Sequence, residues 1–576
     1  VSDLDAAREL VELSAAEARL LLGRERPIVV ARRRPGTSVA PSVAPGAPDL
    51  GVMLPYAPLH HLLLVDAGVA LVMTSGNVSD EPIAYEDADA LERLRGIADR
   101  FLVHDRPIHV RTDDSVVRTL GALPVPRQGV REAPLMLRRA RGYVPASLRL
   151  APEARRPILA CGAEQKSTFC LAKGGRAWVS HHIGDLENWE TLRSWRAGVE
   201  HFERLFAVVP EVVAHDLHPD YLSTKEALDL DGVELAGVQH HHAHLAAVLA
   251  EHGETATAVG AIYDGTGYGE DGTVWGGEVL VGDLAGFHRA AHLLEVTMPG
   301  GAQAIREPWR MACAWLLATE EGDGGPPLAR ADGGGGDLLA REDAGGATPT
   351  LAGAGDAVPP ALAAAVEGGR WRQVAALARS GLSSPRTSSM GRLFDAVAAL
   401  CGLRATVSYE GQAAVALEAV AGVGLGASVG AAADAYPLPL RETASGAVTV
   451  GEGAAQGERA TPGPVMPAPL ILDPRPTIAA VAADATAGVD AATISRRFHA
   501  AVAEATVEVL LRCAEAHGTS IAVLAGGVFQ NRLLLELTAS ALEARGLRVL
   551  LPQRLPPNDG AISYGQAAVA AACGVR

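Results

Sequence analysis

Ala258-Val259-Gly260-Ala261-Ile262-Tyr263, followed by Asp264-Gly265-Thr266-Gly267-Tyr268-Gly269-Glu270-Asp271-Gly272, is the stretch on which the reading of the fold turns. The apolar run predicts a strand, an aspartate stands at its end, and the glycines after it let backbone approach a phosphate. The same pattern occurs earlier in the chain. Arg156-Pro157-Ile158-Leu159-Ala160 predicts a strand running into Cys161-Gly162-Ala163-Glu164-Gln165-Lys166-Ser167-Thr168-Phe169, and Cys170-Leu171-Ala172 predicts the strand that follows. A glycine turn with a lysine and hydroxyls between two strands is a hairpin form of phosphate loop, unlike the strand-to-helix Walker loop.

Two such hairpins, each in an α/β half, suggest a two-lobed ATPase of the actin/sugar-kinase-like architecture, with Asp264 placed to hold a metal or its water shell. Between the hairpins lies Gln239-His240-His241-His242-Ala243-His244, leading into a helical pattern that stops at Gly253, suited to a left-handed cap. His240 and His244 stand one turn apart, so their imidazoles can converge on one metal ion. His241 and His244, at i, i+3, are a second pairing that can converge. A polar helix start with core-packed histidines is the alternative unless carboxylates arrive from elsewhere. Asp559, in Pro556-Pro557-Asn558-Asp559-Gly560, supplies one, and Asp264 is a further candidate. The metalloprotease pattern HExxH is absent, because His241 stands where its glutamate would be.

Composition narrows the function classes. A net charge of −17 argues against a general nucleic-acid surface. No apolar run approaches the roughly 18 residues that span a bilayer, and Val1-Ser2-Asp3-Leu4-Asp5 lacks a signal-peptide pattern, so a soluble cytoplasmic protein without membrane partners is expected. The six cysteines are scattered without any CxxC, which speaks against a zinc finger or a disulfide framework. Lys166, Lys173 and Lys225 are the only lysines beside 50 − 3 = 47 arginines, so a retained lysine in a phosphate-type loop stands out.

The remaining chain reads as alternating β and α segments. Ala6 to Leu22 predicts one amphipathic helix, Pro27 to Ala31 a strand, and Val69 to Met73 another strand, which ends in Met73-Thr74-Ser75-Gly76-Asn77-Val78-Ser79. Basic clusters Arg32-Arg33-Arg34 and Arg138, Arg139 and Arg141 follow β-like runs and are placed to face an anion at a sheet rim, or are solvated arginine runs. His215-Asp216-Leu217-His218 and Ser180-His181-His182-Ile183-Gly184-Asp185 are polar runs after strands, each readable as site wall or as turn. Residues 319–358 read as a flexible Gly/Ala-rich insertion, and Gly422 to Gly463 as a peripheral β layer. Ser388-Ser389-Met390-Gly391-Arg392 offers a serine cap to a helix, and Gly526-Gly527-Val528-Phe529-Gln530-Asn531 is a glycine turn between a strand and a helix.

The segments Leu50–Tyr56, Met73–Ser79, His104–Ile108, Arg111–Arg118 and Arg138–Pro145 together resemble the YrdC-like domain of HypF, the carbamoyltransferase of [NiFe]-hydrogenase maturation. The ordered set GAEQKSTFCL, HHHAH, DGTGYG, SSMGRLFDAVAAL, YEGQAA, GGVFQN and NDGAISYGQA resembles its TsaD-like domain. The resemblance implies an α/β protein: a partial YrdC-like domain over residues 1–150, then a two-lobed TsaD-like domain over residues 157–576. The acylphosphatase, zinc-finger and first YrdC-like segments of that family have no counterpart in these residues. It also implies an ATP-dependent, AMP-forming carbamoyl transfer from carbamoyl phosphate, through carbamoyl-adenylate, to the C-terminal cysteine of a HypE-type acceptor. A truncated scaffold that binds nucleotide and HypE, and a small-molecule O-carbamoyltransferase, are the alternatives. Implied site residues are His240, His244, Asp559 and Asp264 for a divalent iron or zinc. Lys166, Gly265, Gly267, Asp395, Gly526, Gly527 and Asn531 are implied for nucleotide with its Mg, and Ser75, Asn77, Ser115 and Arg141 for the carbamoyl-adenylate.

Overall fold

Ser14-Ala15-Ala16-Glu17 is a capping box, and it breaks the expected Ala6 to Leu22 helix in two. The Ser14 hydroxyl accepts the Glu17 N–H at 3.2 Å while the Glu17 carboxylate accepts the Ser14 N–H at 2.8 Å. Helices Leu4–Leu10 and Ala15–Leu22 result, with strand Val11–Glu12 between them. Two reciprocal bonds at Ser14 satisfy helix-start donors that a continuous helix would not leave open.

The computed structural model describes residues 1–79, 81–121, 134–320, 357–422, 434–442 and 469–574. The chain divides into two units: Val1–Glu270 with Leu280–His288 and Leu510–Arg576, and Asp271–Val279 with Arg289–Val509.

In the first unit, strand Ile28–Arg33 runs parallel to Val116–Thr119 and antiparallel to Asp49–Val52, and Val116–Thr119 pairs antiparallel with Pro134–Arg138. Alternate residues Val29 and Ala31 point into a core with Leu21, Val52, Val117 and Met136. The expected strand Val69 to Met73 is not formed. Val69 is 64% and Val72 78% exposed, and the segment joins no ladder among the described residues.

Further along this unit, Leu148–Ala160 and Cys170–Val179 form the expected hairpin, and Leu148–Ala160, Val212–Asp216 and Glu234–Val238 lie successively parallel. Helix Trp189–Phe206 covers them, packing Trp195 and Phe202 edge-on against Phe169. Ala258–Tyr268 runs parallel to Ile521–Ala525, which runs parallel to Arg548–Leu550. Parallel strands buried on both faces need continuous apolar runs, and Ile521–Ala525 is buried at all five positions. The histidine helix, His240–Glu251, is buried from His240 to Ala250, and the C-terminal helix Ile562–Cys573 crosses it. Gly565 makes that crossing possible: a Cβ there would stand 1.9 Å from the Ala243 carbonyl oxygen.

The second unit carries helices Trp309–Glu320, Gly368–Ser380, Met390–Leu400, Gln412–Val420 and Arg475–Thr486. Ala291–Leu293 pairs in parallel with Leu470–Leu472, which pairs antiparallel with Leu440–Glu442. The expected insertion 319–358 lies, apart from its ends, outside the described residues, as does most of Gly422 to Gly463. No helix among the described residues is long and apolar enough to cross a membrane.

Candidate functional site

The Gln239 side chain starts the histidine helix by accepting the His242 N–H at 2.9 Å. Its first turn is buried, with His240 0% and His244 1% exposed. Strand Val212–Asp216 delivers Asp216, also fully buried, whose Oδ2 accepts the His240 Nδ1–H at 2.8 Å. That bond fixes the tautomer and leaves Nε2 of His240 as a lone pair. Nε2 is buried without a hydrogen-bond partner, 3.6 Å from Asp264 Oδ2 and 3.8 Å from Asp559 Oδ1. His244 Nε2 lies 2.8 Å from Asp264 Oδ2 and 3.7 Å from Asp559 Oδ1.

This geometry fits a metal. Ligand atoms of His240, His244, Asp264 and Asp559 all lie within 4.8 Å of one another. Donors about 2.1 Å from a shared ion stand roughly 3.4 Å apart in a tetrahedral arrangement, close to the 3.6–3.8 Å separations here. Two imidazoles with two carboxylates suit iron(II) or zinc. In place of an ion, a proton answers the same negative field: burial opposes charge on the His240 ring, yet Asp216, with Asp264 and Asp559, holds its pKa well above the usual value, and a metal bound at Nε2 would take that proton's place. Burial likewise opposes charge on Asp264, and the two histidines outweigh it and hold that carboxyl well below its usual range. Three buried carboxylates around one point call for positive charge.

The expected glycines serve the same centre. The Gly265 and Gly527 N–H groups donate to Asp264 Oδ1 at 2.8 and 3.2 Å. Gly526, at φ +96°, passes so close to Tyr263 that a Cβ would stand 2.2 Å from its carbonyl oxygen. At Gly267 a Cβ would stand 2.3 Å from the His241 ring. His241 itself bonds the Gln239 amide at 3.3 Å and lies outside the four-residue cluster. Asn531 caps helix Arg532–Ala544 through the Leu534 N–H at 3.0 Å. Asp395 belongs to the second unit, 3.2 Å from Arg392 Nη1, where burial pushes its pKa up to about 6 against the pull of that arginine.

A cavity of about 480 Å³ opens in the first unit, and Ser75, Asn77 and Lys166 line it together with Asp113, Arg138 and His182. Lys166 sits at φ +46° in the hairpin turn, its N–H held by Asp185 at 2.6 Å. Gly560 is part of the wall, so the cavity reaches the residue that follows Asp559. Ser115 and Arg141 are placed differently. The buried Ser115 hydroxyl donates to the Arg141 carbonyl at 2.9 Å and accepts the Ala140 N–H at 2.8 Å. The Arg141 guanidinium pairs with Asp114 at 2.6 Å, donates to the carbonyls of Glu25 and Arg26, and lies 3.3 Å over the Tyr56 ring. Of the basic clusters, Arg139 is likewise committed to carbonyls of Val179, Tyr143 and Ala146. Arg141→Lys should therefore lower stability by about 1–3 kcal/mol in denaturant titration, because an ammonium cannot reproduce the fork or the stacking. An unchanged midpoint would remove the bracing role.

Sequence reasoning left Asp216, Asp113 and His182 unassigned. Asp216 had one usable signal, its place at the end of a predicted strand.

Comparison with known proteins places these elements in a class: a YrdC-type domain joined to a Kae1-like one. A family model described as "Carbamoyltransferase, Kae1-like Domain, second subdomain" matches residues 260–566, the HypF Kae1-like domain model matches 153–251, and the Sua5/YciO/YrdC model, described as "Telomere recombination", matches 1–129. Carbamoyltransferase HypF2 of Cupriavidus necator is 39% identical over 594 residues, covering 99% of this chain and 66% of that protein. A carbamoyltransferase HypF homolog of the same organism is 34% identical over 421 residues, 72% of this chain and 91% of the relative. The crystal structure of full-length HypF in the phosphate- and nucleotide-bound form superposes with a TM-score of 0.82 at 35% identity, over 99% of this chain and 78% of that one. The chain belongs to the HypF carbamoyltransferase family. It spans 65–66% of the length of the HypF proteins of Rhizobium leguminosarum and Rhodobacter capsulatus, to which it is 36% and 38% identical.

Proposed function

We propose that the chain carries out ATP-dependent carbamoyl transfer, from carbamoyl phosphate through carbamoyl-adenylate to the C-terminal cysteine of a HypE-type acceptor. The observation that carries this reading is the continuity of one cavity from Ser75, Asn77 and Lys166 to Gly560, beside the candidate ligand Asp559. Carbamate, released with phosphate when water hydrolyses carbamoyl phosphate, attacks the α-phosphorus of ATP through a carboxylate oxygen, and pyrophosphate leaves. The mixed anhydride carries AMP as a good leaving group. The cysteine thiolate then attacks the carbonyl carbon, the bond to the AMP oxygen breaks, and AMP departs with the electron pair.

The chain's own residues support these steps. Lys166 and Arg138 bring positive charge to the cavity wall, where phosphate charge must be balanced. His240, His244, Asp264 and Asp559 would hold an iron(II) or zinc ion, whose chemistry is Lewis-acid polarisation of the carbonyl or the AMP oxygen. ATP would bring its own Mg.

The test is to incubate the chain with ATP, carbamoyl phosphate and a HypE-type protein and to weigh the acceptor. One added carbamoyl mass on its C-terminal cysteine is expected. Nucleotide and acceptor binding without that mass would replace the enzyme with a scaffold, and product on a sugar hydroxyl without the acceptor would replace it with an O-carbamoyltransferase.

A further inference from the structure

The loop His181–Asp185 and the segment Arg111–Asp113 meet in the wall of the 480 Å³ cavity, and nothing in the transfer chemistry above uses what they bring there. His182 Nε2 stands 4.0 Å from Asp113 Oδ2, with the two side chains 17% and 19% exposed. That separation is too long for a hydrogen bond between them. Among the described residues no hydrogen-bond donor reaches the Asp113 carboxylate.

The chemistry of the pair follows from proton inventory. Burial, reinforced by Arg138, Lys166 and His181, pushes the His182 pKa down to about 3, so the ring is neutral and carries one N–H. With that N–H on Nδ1, Nε2, the nitrogen 4.0 Å from Asp113 Oδ2, is an acceptor. A carboxylate accepts only. Burial raises the Asp113 pKa, and Arg138 beside it works against that shift. Two acceptors therefore face one small volume with no protein donor between them. The arrangement is held from behind: the His182 N–H donates to the Arg139 carbonyl at 3.2 Å, the Ile183 N–H to the Ser167 carbonyl at 3.0 Å, and the Arg141 N–H to the Asp113 carbonyl at 3.0 Å.

We propose that Asp113 and His182 form the recognition site for the amine end of the carbamoyl group, each accepting one N–H of an unsubstituted –NH2. One nitrogen about 2.9 Å from each acceptor joins a 4.0 Å gap with little adjustment. An acetyl or other alkyl acyl group has no donor to offer there and would bury a carboxylate unpaired, so the pair selects carbamoyl-adenylate against acyl-adenylates. This assignment rests on the reading that the cavity takes a carbamoyl-adenylate.

The probe is 5′-O-sulfamoyladenosine, a stable stand-in whose sulfamoyl –NH2 takes the place of the carbamoyl amine, set against its N,N-dimethyl derivative. Calorimetric titration of the full chain should show the free amine bound roughly ten- to a hundredfold more tightly. Asp113→Asn and His182→Phe should each shrink that ratio toward one. The ratio is unmoved by a general weakening of the adenosine site, and the wild-type ratio needs no variant to fold. Equal affinity of the wild type for the two compounds overturns the proposal, as does a full ratio retained by both variants. Failure of the wild type to bind ATP, AMP and both sulfamoyl compounds would instead remove the adenylate reading itself, and this assignment with it.

Discussion

His240→Ala and His244→Ala should each remove carbamoyl transfer, by more than about the hundredfold that disturbing the outer partners of metal ligands brings. Both should also lower bound iron or zinc, measured by mass spectrometry of the loaded protein, from one equivalent toward zero. The two variants differ in stability. His240→Ala strips fully buried Asp216 of its 2.8 Å partner and leaves that carboxylate with the His218 N–H at 3.0 Å. An under-satisfied buried charge costs about 1–3 kcal/mol or more. His244→Ala is milder, because Asp264 keeps the N–H groups of Gly265 and Gly527. Asp216→Asn, which removes the charge behind His240 but none of the four candidate ligands, should reduce transfer ten- to a hundredfold. Full transfer by either alanine variant would sink the metal assignment, and an Asp216→Asn loss larger than that of His240→Ala would reverse the ranking.

Gly565→Ala should be among the most damaging single-methyl changes in the chain. The added carbon would sit 1.9 Å from the Ala243 carbonyl oxygen and 2.7 Å from its carbon, and both belong to helix backbone that cannot rotate away. Alanine gains about 1 kcal/mol of helix propensity over glycine. Parting the histidine helix from the C-terminal helix outweighs this, for a net loss of about 2–4 kcal/mol in chemical denaturation. The shift would also move Ala243, which stands between the two histidine ligands, so metal content should fall with stability. Gly369→Ala is the control: it lies early in helix Gly368–Ser380 with nothing within 4 Å of its added Cβ, and should be neutral or slightly stabilising. Equal midpoints for the two alanine variants would remove the packing argument.

Local pattern carried the reading far where a feature is local. The hairpin around Lys166, the histidine helix and strand Ile521–Ala525 follow from periodicity and glycine placement over a dozen residues, and they stand where the sequence put them. The capping box at Ser14 was equally local, and it was overlooked because apolar periodicity ran through it. Val69 to Met73 failed for another reason: composition shows that a segment is apolar and extended, not that a neighbouring strand is free to pair with it. Asp216 was out of reach as a partner of His240, since only the parallel pairing of Val212–Asp216 with Glu234–Val238 brings the end of one strand beside the start of the helix that follows the other. Asp559 was legible as a carboxylate that could complete the histidine pair, but no spacing rule reaches across that separation, and the family resemblance implied the same residue.

The glycine contact between the two helices also bears on motion. His240 and His244 lie on one helix, Asp559 lies in the turn immediately before the other, and the backbones touch at Ala243 and Gly565 with no side chain between them. Such a contact cannot loosen gradually, because there is no rotamer to absorb a small separation. Amide exchange along the C-terminal helix should therefore report opening of its contact with the histidine helix. If iron or zinc binds at His240, His244, Asp264 and Asp559, it should slow that exchange, which makes helix Ile562–Cys573 a test of the metal assignment.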